Sequence, residues 1–142
     1  SFLMADDMRR AVSALDWVKA HPDEVADGYG FSKEALVVWT QQRGVDLIKR
    51  GIRINCTLPS PTATPMMRAF EVAAGQKILD IFAKPIDRQA TAEEQAGPLL
   101  LLNSPLAGFV SGVCLPVDAG FTGGVMTGLI DLQALMAEAM AG

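Results

Sequence analysis

The chain has 142 residues, half of them hydrophobic and a fifth charged, which is the composition of a globular domain with enough chain to bury a core. Twelve basic side chains against 16 acidic ones give a formal charge of −4, which argues against a nucleic acid or an anionic membrane surface as partner, since both favour a basic face. No apolar run is long enough to span a bilayer, and Phe2-Leu3-Met4 followed by Asp6 and Asp7 is not a signal-peptide pattern.

In chain order, Asp6 or Asp7 can cap a first helix whose apolar residues Met8, Ala11, Val12, Leu15 and Val18 recur at three- and four-residue spacing. His21-Pro22 stops it, because proline disfavours helix at the preceding residue. Gly28 precedes a second helix from about Tyr29 to Lys49. Its middle, Ala35 to Trp39, is apolar on nearly every side and is expected to be buried all round, against a sheet on one face and another helix or a subunit on the other. Gly44 should weaken this helix and Gly51 close it. Ile52 to Leu58, rich in branched residues and bounded by Pro59, reads as a strand. A turn-rich segment, Pro59-Ser60-Pro61-Thr62-Ala63-Thr64-Pro65, follows it, and then two short helices near Met66–Ala74 and Gln76–Phe82.

Thr91-Ala92-Glu93-Glu94 is a capping box and opens a helix through Leu102 that ends before Pro105. Phe109 to Val117 reads as a second strand broken by Gly112. The tail has a Gly123-Gly124 break and then an amphipathic helix carrying Leu132, Leu135, Met136 and Met140. Two strands separated by a helical crossover predict an α/β chain with a parallel sheet. Two strands cannot by themselves cover helices this apolar, so the sheet is expected to be part of a larger one. Cys56 and Cys114 are widely spaced in apolar surroundings and predict buried free thiols, as in a reducing cytoplasm; no spacing suggests a disulfide or a metal site.

The segment that carries chemistry is Tyr29-Gly30-Phe31-Ser32-Lys33. Residues four apart lie on one helical face, so the phenol and the ammonium can converge on one site. A free phenol, with a pKa of about 10, exchanges protons poorly at neutral pH, and a neighbouring cation stabilises the phenolate. Such a pair suits proton exchange with an alcohol or carbonyl oxygen.

Alone, that spacing is common; the segments after it are what make it specific. From residue 28 to 120 the chain resembles the short-chain dehydrogenase/reductase family. The Tyr29–Lys33 pair opens a helix, Gly51-Ile52-Arg53-Ile54-Asn55 follows at the family's distance, and Pro59 to Thr64 is similar to the family's proline- and threonine-bearing turn. Arg88 with Thr91 to Ala96 resembles its late helix, and Gly112 through Val117-Asp118-Ala119-Gly120 its last strand. The resemblance implies that residues 1–142 form the carboxyl-terminal part of a doubly wound, Rossmann-like domain. It implies Tyr29 as catalytic acid/base and Lys33 as the residue that stabilises the phenolate and hydrogen-bonds the nicotinamide ribose. The backbone from Pro59 through Ser60 to Thr62 would hold the nicotinamide carboxamide of NAD or NADP, with hydroxyl contacts from Thr62 or Thr64.

The sequence departs from the family pattern in four places. No segment matches the phosphate-binding glycine motif, and Gly120, Gly123 and Gly124 read as loop glycines. The family's catalytic serine usually falls at the spacing occupied here by Asp16, and neither Asp16 nor Ser13 is a candidate; the catalytic asparagine is also unmatched. Ser60 stands where the family usually has glycine, which implies a backbone angle that serine can adopt. The expectation is therefore a fragment, inactive by itself, of an enzyme that interconverts a secondary alcohol and a ketone, with a hydroxysteroid as one apolar substrate suited to Met66 and Met67. The alternative is a non-catalytic interaction protein derived from the same fold. The apolar helix and last strand predict a homo-oligomer.

Overall fold

A computed structural model of the chain describes residues 18–25 and 28–141. Of the expected first helix only the end is described, residues 18–20 with Val18, and it is helical; Met8, Ala11, Val12, Leu15 and the capping aspartates lie outside the described residues, as do Asp16 and Ser13. The elements are α1 (Pro22–Val25), α2 (Tyr29–Ile48), β1 (Cys56–Pro59), α3 (Met67–Ala74), α4 (Gln76–Ala83) and α5 (Ala92–Asn103), then β2 (Cys114–Val117), α6 (Phe121–Met126) and α7 (Leu132–Ala141). A single 3-10 turn, Pro105–Ala107, follows α5.

The strands β1 and β2 are neighbours in a two-stranded sheet. The Cys56 N–H donates to the Val113 carbonyl at 3.0 Å and the Ser60 N–H to the Val117 carbonyl at 3.2 Å. Both bonds advance by the same step along each strand, which is the parallel arrangement predicted from the helical crossover.

The chain divides into two compact units, one running to Cys56 and including Gly108–Cys114, the other Thr57–Ala107 with the residues from Leu115 onward. In the first, Val18, Val25, Phe31 and Ala35 pack against the buried Val38 of α2. Within the single chain that helix is not buried all round. Val38, Thr40 and Gly44 are buried, but Leu36 and Trp39 are about half exposed, at 53% and 51%. One stripe of α2 meets the rest of its unit and the opposite stripe does not.

Both strands are shorter than the sequence suggested, and Asn55 is the reason. Its Nδ2 donates to the Val110 carbonyl at 3.0 Å, and its Oδ1 accepts the Val113 N–H at 3.1 Å. A side chain thus takes the backbone groups that a longer ladder would use. Gly112, at φ +78, turns the chain at the same level while its N–H donates to the Ile54 carbonyl at 2.7 Å. Gly44 is likewise more than a weak point in α2: it is buried where the helix meets the 111–112 turn, and Ser111 Oγ donates to its carbonyl at 3.2 Å.

In the second unit the core gathers Leu79 and Ile81 of α4, Leu102 of α5, Ala107 and Phe121. The rings of Phe82 and Phe121 lie 5.2 Å apart, tilted by 52°. The Gly123-Gly124 pair does not break the chain but lies inside α6. Asp118 accounts for this: its carboxylate accepts the Gly120 N–H at 3.0 Å and the Thr122 N–H at 2.9 Å, stabilising the first turn against the low helix propensity of glycine. A side chain at Gly124 would meet Ile130 Cδ1 at 2.6 Å.

Candidate active site

The first group of candidate residues stands at the start of α2. Gly28 adopts a left-handed conformation, φ +77, and its carbonyl accepts the Ser32 N–H at 3.0 Å. An L-side chain is strained there, which is why glycine precedes the helix. Tyr29 is the first helical residue and is half exposed. One turn on, the Lys33 Nζ lies over the Tyr29 ring, 5.0 Å from its centroid. The four-residue spacing has therefore brought ammonium and phenol ring together, with the cation on the ring's electron-rich face. Ser32 Oγ donates to the Tyr29 carbonyl at 2.7 Å and braces the same turn.

The second group is the turn after β1. Pro59 ends the strand, exposed, and Ser60 is tied by its N–H to Val117. Ser60 is not among the residues of positive φ, so serine fits there without strain. Thr62 forms an isolated parallel bridge with Ala90. The bridge uses the groups flanking Thr62: the Ala90 N–H donates to the Pro61 carbonyl at 3.0 Å and the Ala63 N–H to the Ala90 carbonyl at 2.8 Å. In a parallel bridge the central residue's own N–H and C=O point to the other side. Thr62 Oγ1 is turned back on the chain and donates to the Ser60 carbonyl at 2.9 Å. Thr64 lies beside Met67, Arg68, Glu71 and Gln89 along an open cleft, and Met66 is exposed next to it.

Three features of the second unit carry more weight than the sequence reading gave them. Arg88 donates to Glu94 twice, at 2.7 and 2.8 Å. The expected capping box is formed: the Glu94 N–H donates to Thr91 Oγ1 at 3.2 Å and the Thr91 N–H to Glu94 Oε2 at 2.9 Å. The Arg88 guanidinium first, and the Thr91 N–H second, hold the Glu94 carboxyl down at about 2. Gln95 Nε2 donates to the Val117 carbonyl at 2.9 Å and reaches Ser60 Oγ at 3.4 Å. A cavity of about 200 Å³ lies beside it, lined by Ser60, Phe82, Ile86, Arg88 and Val117 among others. Sequence reasoning had no local signal for Gln95; the serine at the usual glycine position was the one hint that this corner differs.

Cys56 and Cys114 are free and half buried. Burial first, and the adjacent Cys56 thiol second, push the Cys114 thiol up to about 12. Among the described residues no cluster of His, Cys, Asp and Glu could hold a metal ion, and no helix is long and apolar enough to cross a membrane.

A family model described as enoyl-(acyl carrier protein) reductase matches residues 12–122, most of the chain. The chain is 32% identical over 105 residues to a coniferyl-alcohol dehydrogenase of Pseudomonas sp., covering 73% of this chain and 41% of that protein. The chain belongs to the short-chain dehydrogenase/reductase family. Another relative is a 3-alpha-hydroxysteroid dehydrogenase/carbonyl reductase of Comamonas testosteroni, 33% identical over 94 residues, covering 65% of this chain and 36% of that one. A crystal structure with bound NADP, described as a 2-deoxy-d-gluconate 3-dehydrogenase from Agrobacterium tumefaciens, superposes with a TM-score of 0.60 at 27% identity, over 67% of this chain and 39% of its own. This short-chain dehydrogenase/reductase chain therefore shares the family's α/β, Rossmann-like fold, and it spans about two fifths of the length of the relatives it matches.

Proposed function

We propose that this chain supplies the proton-transfer pair and the nicotinamide-holding turn of an NAD(P)-dependent oxidoreductase that interconverts a secondary alcohol and a ketone. The observation that carries the reading is the Tyr29–Lys33 arrangement, an ammonium 5.0 Å from the centre of a half-exposed phenol ring at the start of a helix. The chain spans about two fifths of its relatives, so the activity is that of the protein in which the remaining cofactor-binding elements accompany this sequence.

Whether the turn suits a nicotinamide can be judged from its backbone. A carboxamide presents one hydrogen-bond donating group and one acceptor. The bridge to Ala90 leaves the Thr62 N–H and C=O directed away from their neighbouring segment, a donor and an acceptor on one residue. The turn fits the group. Pro59, Ser60 and Thr62 would orient it, with Thr64 contributing a hydroxyl. The dinucleotide, when bound, supplies or accepts the hydride.

In the reductive direction Tyr29 gives its phenolic proton to the carbonyl oxygen, and in the oxidative direction it takes the alcohol proton. Lys33 stabilises the negative phenol oxygen through space and offers donors to a ribose. The exposed Met66 and the half-buried Met67 favour an apolar substrate, and the hydroxysteroid dehydrogenase relative supports a cyclic alcohol of that kind. Two free thiols suit a reducing, cytoplasmic setting, and the exposed Leu36 and Trp39 of α2 suit a homo-oligomer.

The test is turnover of cyclic secondary alcohols with NAD and NADP by the protein expressed from its own gene. Tyr29→Phe should abolish turnover while leaving dinucleotide binding largely intact, and Lys33→Met should lower kcat by roughly 10²–10⁴. Activity that survives Tyr29→Phe would show that another group moves the proton.

A further inference from the structure

Both ends of the turn from Ser60 to Ala63 are fastened to one place, the junction that leads into α5. The inner end is held by the two backbone bonds of Ala90, from Pro61 and to Ala63. The outer end is held through Val117, the last residue of β2, whose carbonyl accepts the Ser60 N–H at 3.2 Å and the Gln95 amide at 2.9 Å. Gln95 also reaches the Ser60 hydroxyl directly at 3.4 Å. One side chain therefore bridges helix, strand end and turn.

Its surroundings do not call for an amide. The cavity beside it is lined largely by apolar groups, Phe82, Ile86 and Val117 among them. The Gln95 Oε1 is buried without a hydrogen-bond partner among the described residues. An apolar side chain would avoid that desolvation, so the polar end must act through its donor. The donor group is also unambiguous, because Nε2 faces a carbonyl and the oxygen could not take its place.

The position of Gln95 is itself fixed. It follows Glu94, whose carboxylate is gripped by Arg88 and by the Thr91 N–H. The capping box sets the first turn of α5, and that turn aims Gln95 at Val117.

We propose that Gln95 is a positioning residue for nicotinamide binding, which sets the height of the Ser60–Thr62 backbone by holding Ser60 against the end of β2. It touches neither cofactor nor substrate. This rests on the reading of the Thr62 N–H and C=O as the carboxamide site. With that brace removed, the turn keeps its Ala90 bonds and the Ser60 N–H bond to Val117 but loses the side-chain link across them, and the Thr62 groups lose their aim. The loss falls on the carboxamide.

The experiment compares Gln95→Met, nearly the same length and without a donor, with the unaltered protein expressed from its own gene. Dissociation constants are measured for NADPH or NADH, whichever binds, and for the analogue in which a hydrogen atom replaces the whole carboxamide group. Wild type should prefer the carboxamide dinucleotide. Gln95→Met should weaken that dinucleotide by about 5- to 20-fold, the size of one aligned hydrogen bond, and the analogue without the carboxamide by no more than about twofold. Equal weakening of both would reduce Gln95 to ordinary packing and overturn the proposal. A wild type indifferent to the carboxamide would instead overturn the reading of the turn. If Gln95→Met fails to fold, Gln95→Glu applies the same test, since it keeps the shape and presents an acceptor to the Val117 carbonyl.

Discussion

A Cβ placed on Gly44 would stand 2.6 Å from the Gly112 Cα, so α2 and the 111–112 turn meet backbone against backbone. Gly112 in turn lies at φ +78 and packs on the Gln41 carbonyl. Neither neighbour is a flexible side chain that could swing away. Gly44→Ala should therefore destabilise the protein by about 1–3 kcal/mol despite the better helix propensity of alanine. Gly97, also helical and with nothing within 4 Å of an added Cβ, is the control. Gly97→Ala should gain about 0.5–1 kcal/mol. Urea melts of the two variants, read by circular dichroism, compare them directly. Equal effects would mean that α2 and the turn do not meet this closely.

Phe121, only 6% exposed and stacked at a tilt on Phe82, is the largest side chain in the core of the second unit. Phe121→Ala should cost about 3–5 kcal/mol, and Phe121→Leu distinctly less. Thermal melting settles the order. Parity between the two variants would show that the ring makes no specific contact.

Thr91→Ala removes the side-chain half of the capping box and should cost about 1 kcal/mol. The Glu94 half adds a pH dependence. Its carboxyl is held at about 2 in the fold, below the ordinary 4.5, so the paired form stabilises the fold above the unfolded value. That contribution is present above about pH 5 and is lost as pH falls towards about 2. The difference in melting temperature between wild type and Glu94→Gln should be constant from neutral pH to about 5 and shrink on acidification below it. The pair is solvent-exposed, so the effect should be modest and weaker in high salt.

The Cys114 thiol, raised from 9.0 to about 12 by burial and by Cys56, also donates to the Val37 carbonyl at 3.7 Å. At pH 8 its thiolate fraction is therefore far below that of an ordinary cysteine. Disulfide-exchange reagents should label it correspondingly slowly in the folded protein and at the normal rate in urea. Fast labelling under native conditions would contradict the placement of Cys114.

How much was legible beforehand follows from how far each interaction reaches along the chain. The Thr91–Glu94 capping box joins residues three apart, and the Tyr29–Lys33 pair residues four apart; both stand in the fold as the spacing implied. Periodicity placed helices where α2 and α5 lie, and the order of elements implied a parallel pair of strands. The errors were all long-range. Strand lengths depended on Asn55, whose partners Val110 and Val113 are more than fifty residues away. The glycine pair in α6 depended on Asp118 and on Ile130, and Trp39 proved half exposed because only the fold decides which helical stripe finds a neighbour.

The sequence by itself determined which residues can cap, turn and pair within one helical turn, because those bonds need only local backbone geometry. It also carried the order of segments that marks the family. Only the tertiary structure decided that Gly44 is a contact point, and that Ser60 and Gln95, 35 residues apart, share the end of β2. The physical reason is that a side chain's chemistry is written in the chain, whereas its partner is chosen by packing that brings distant segments together.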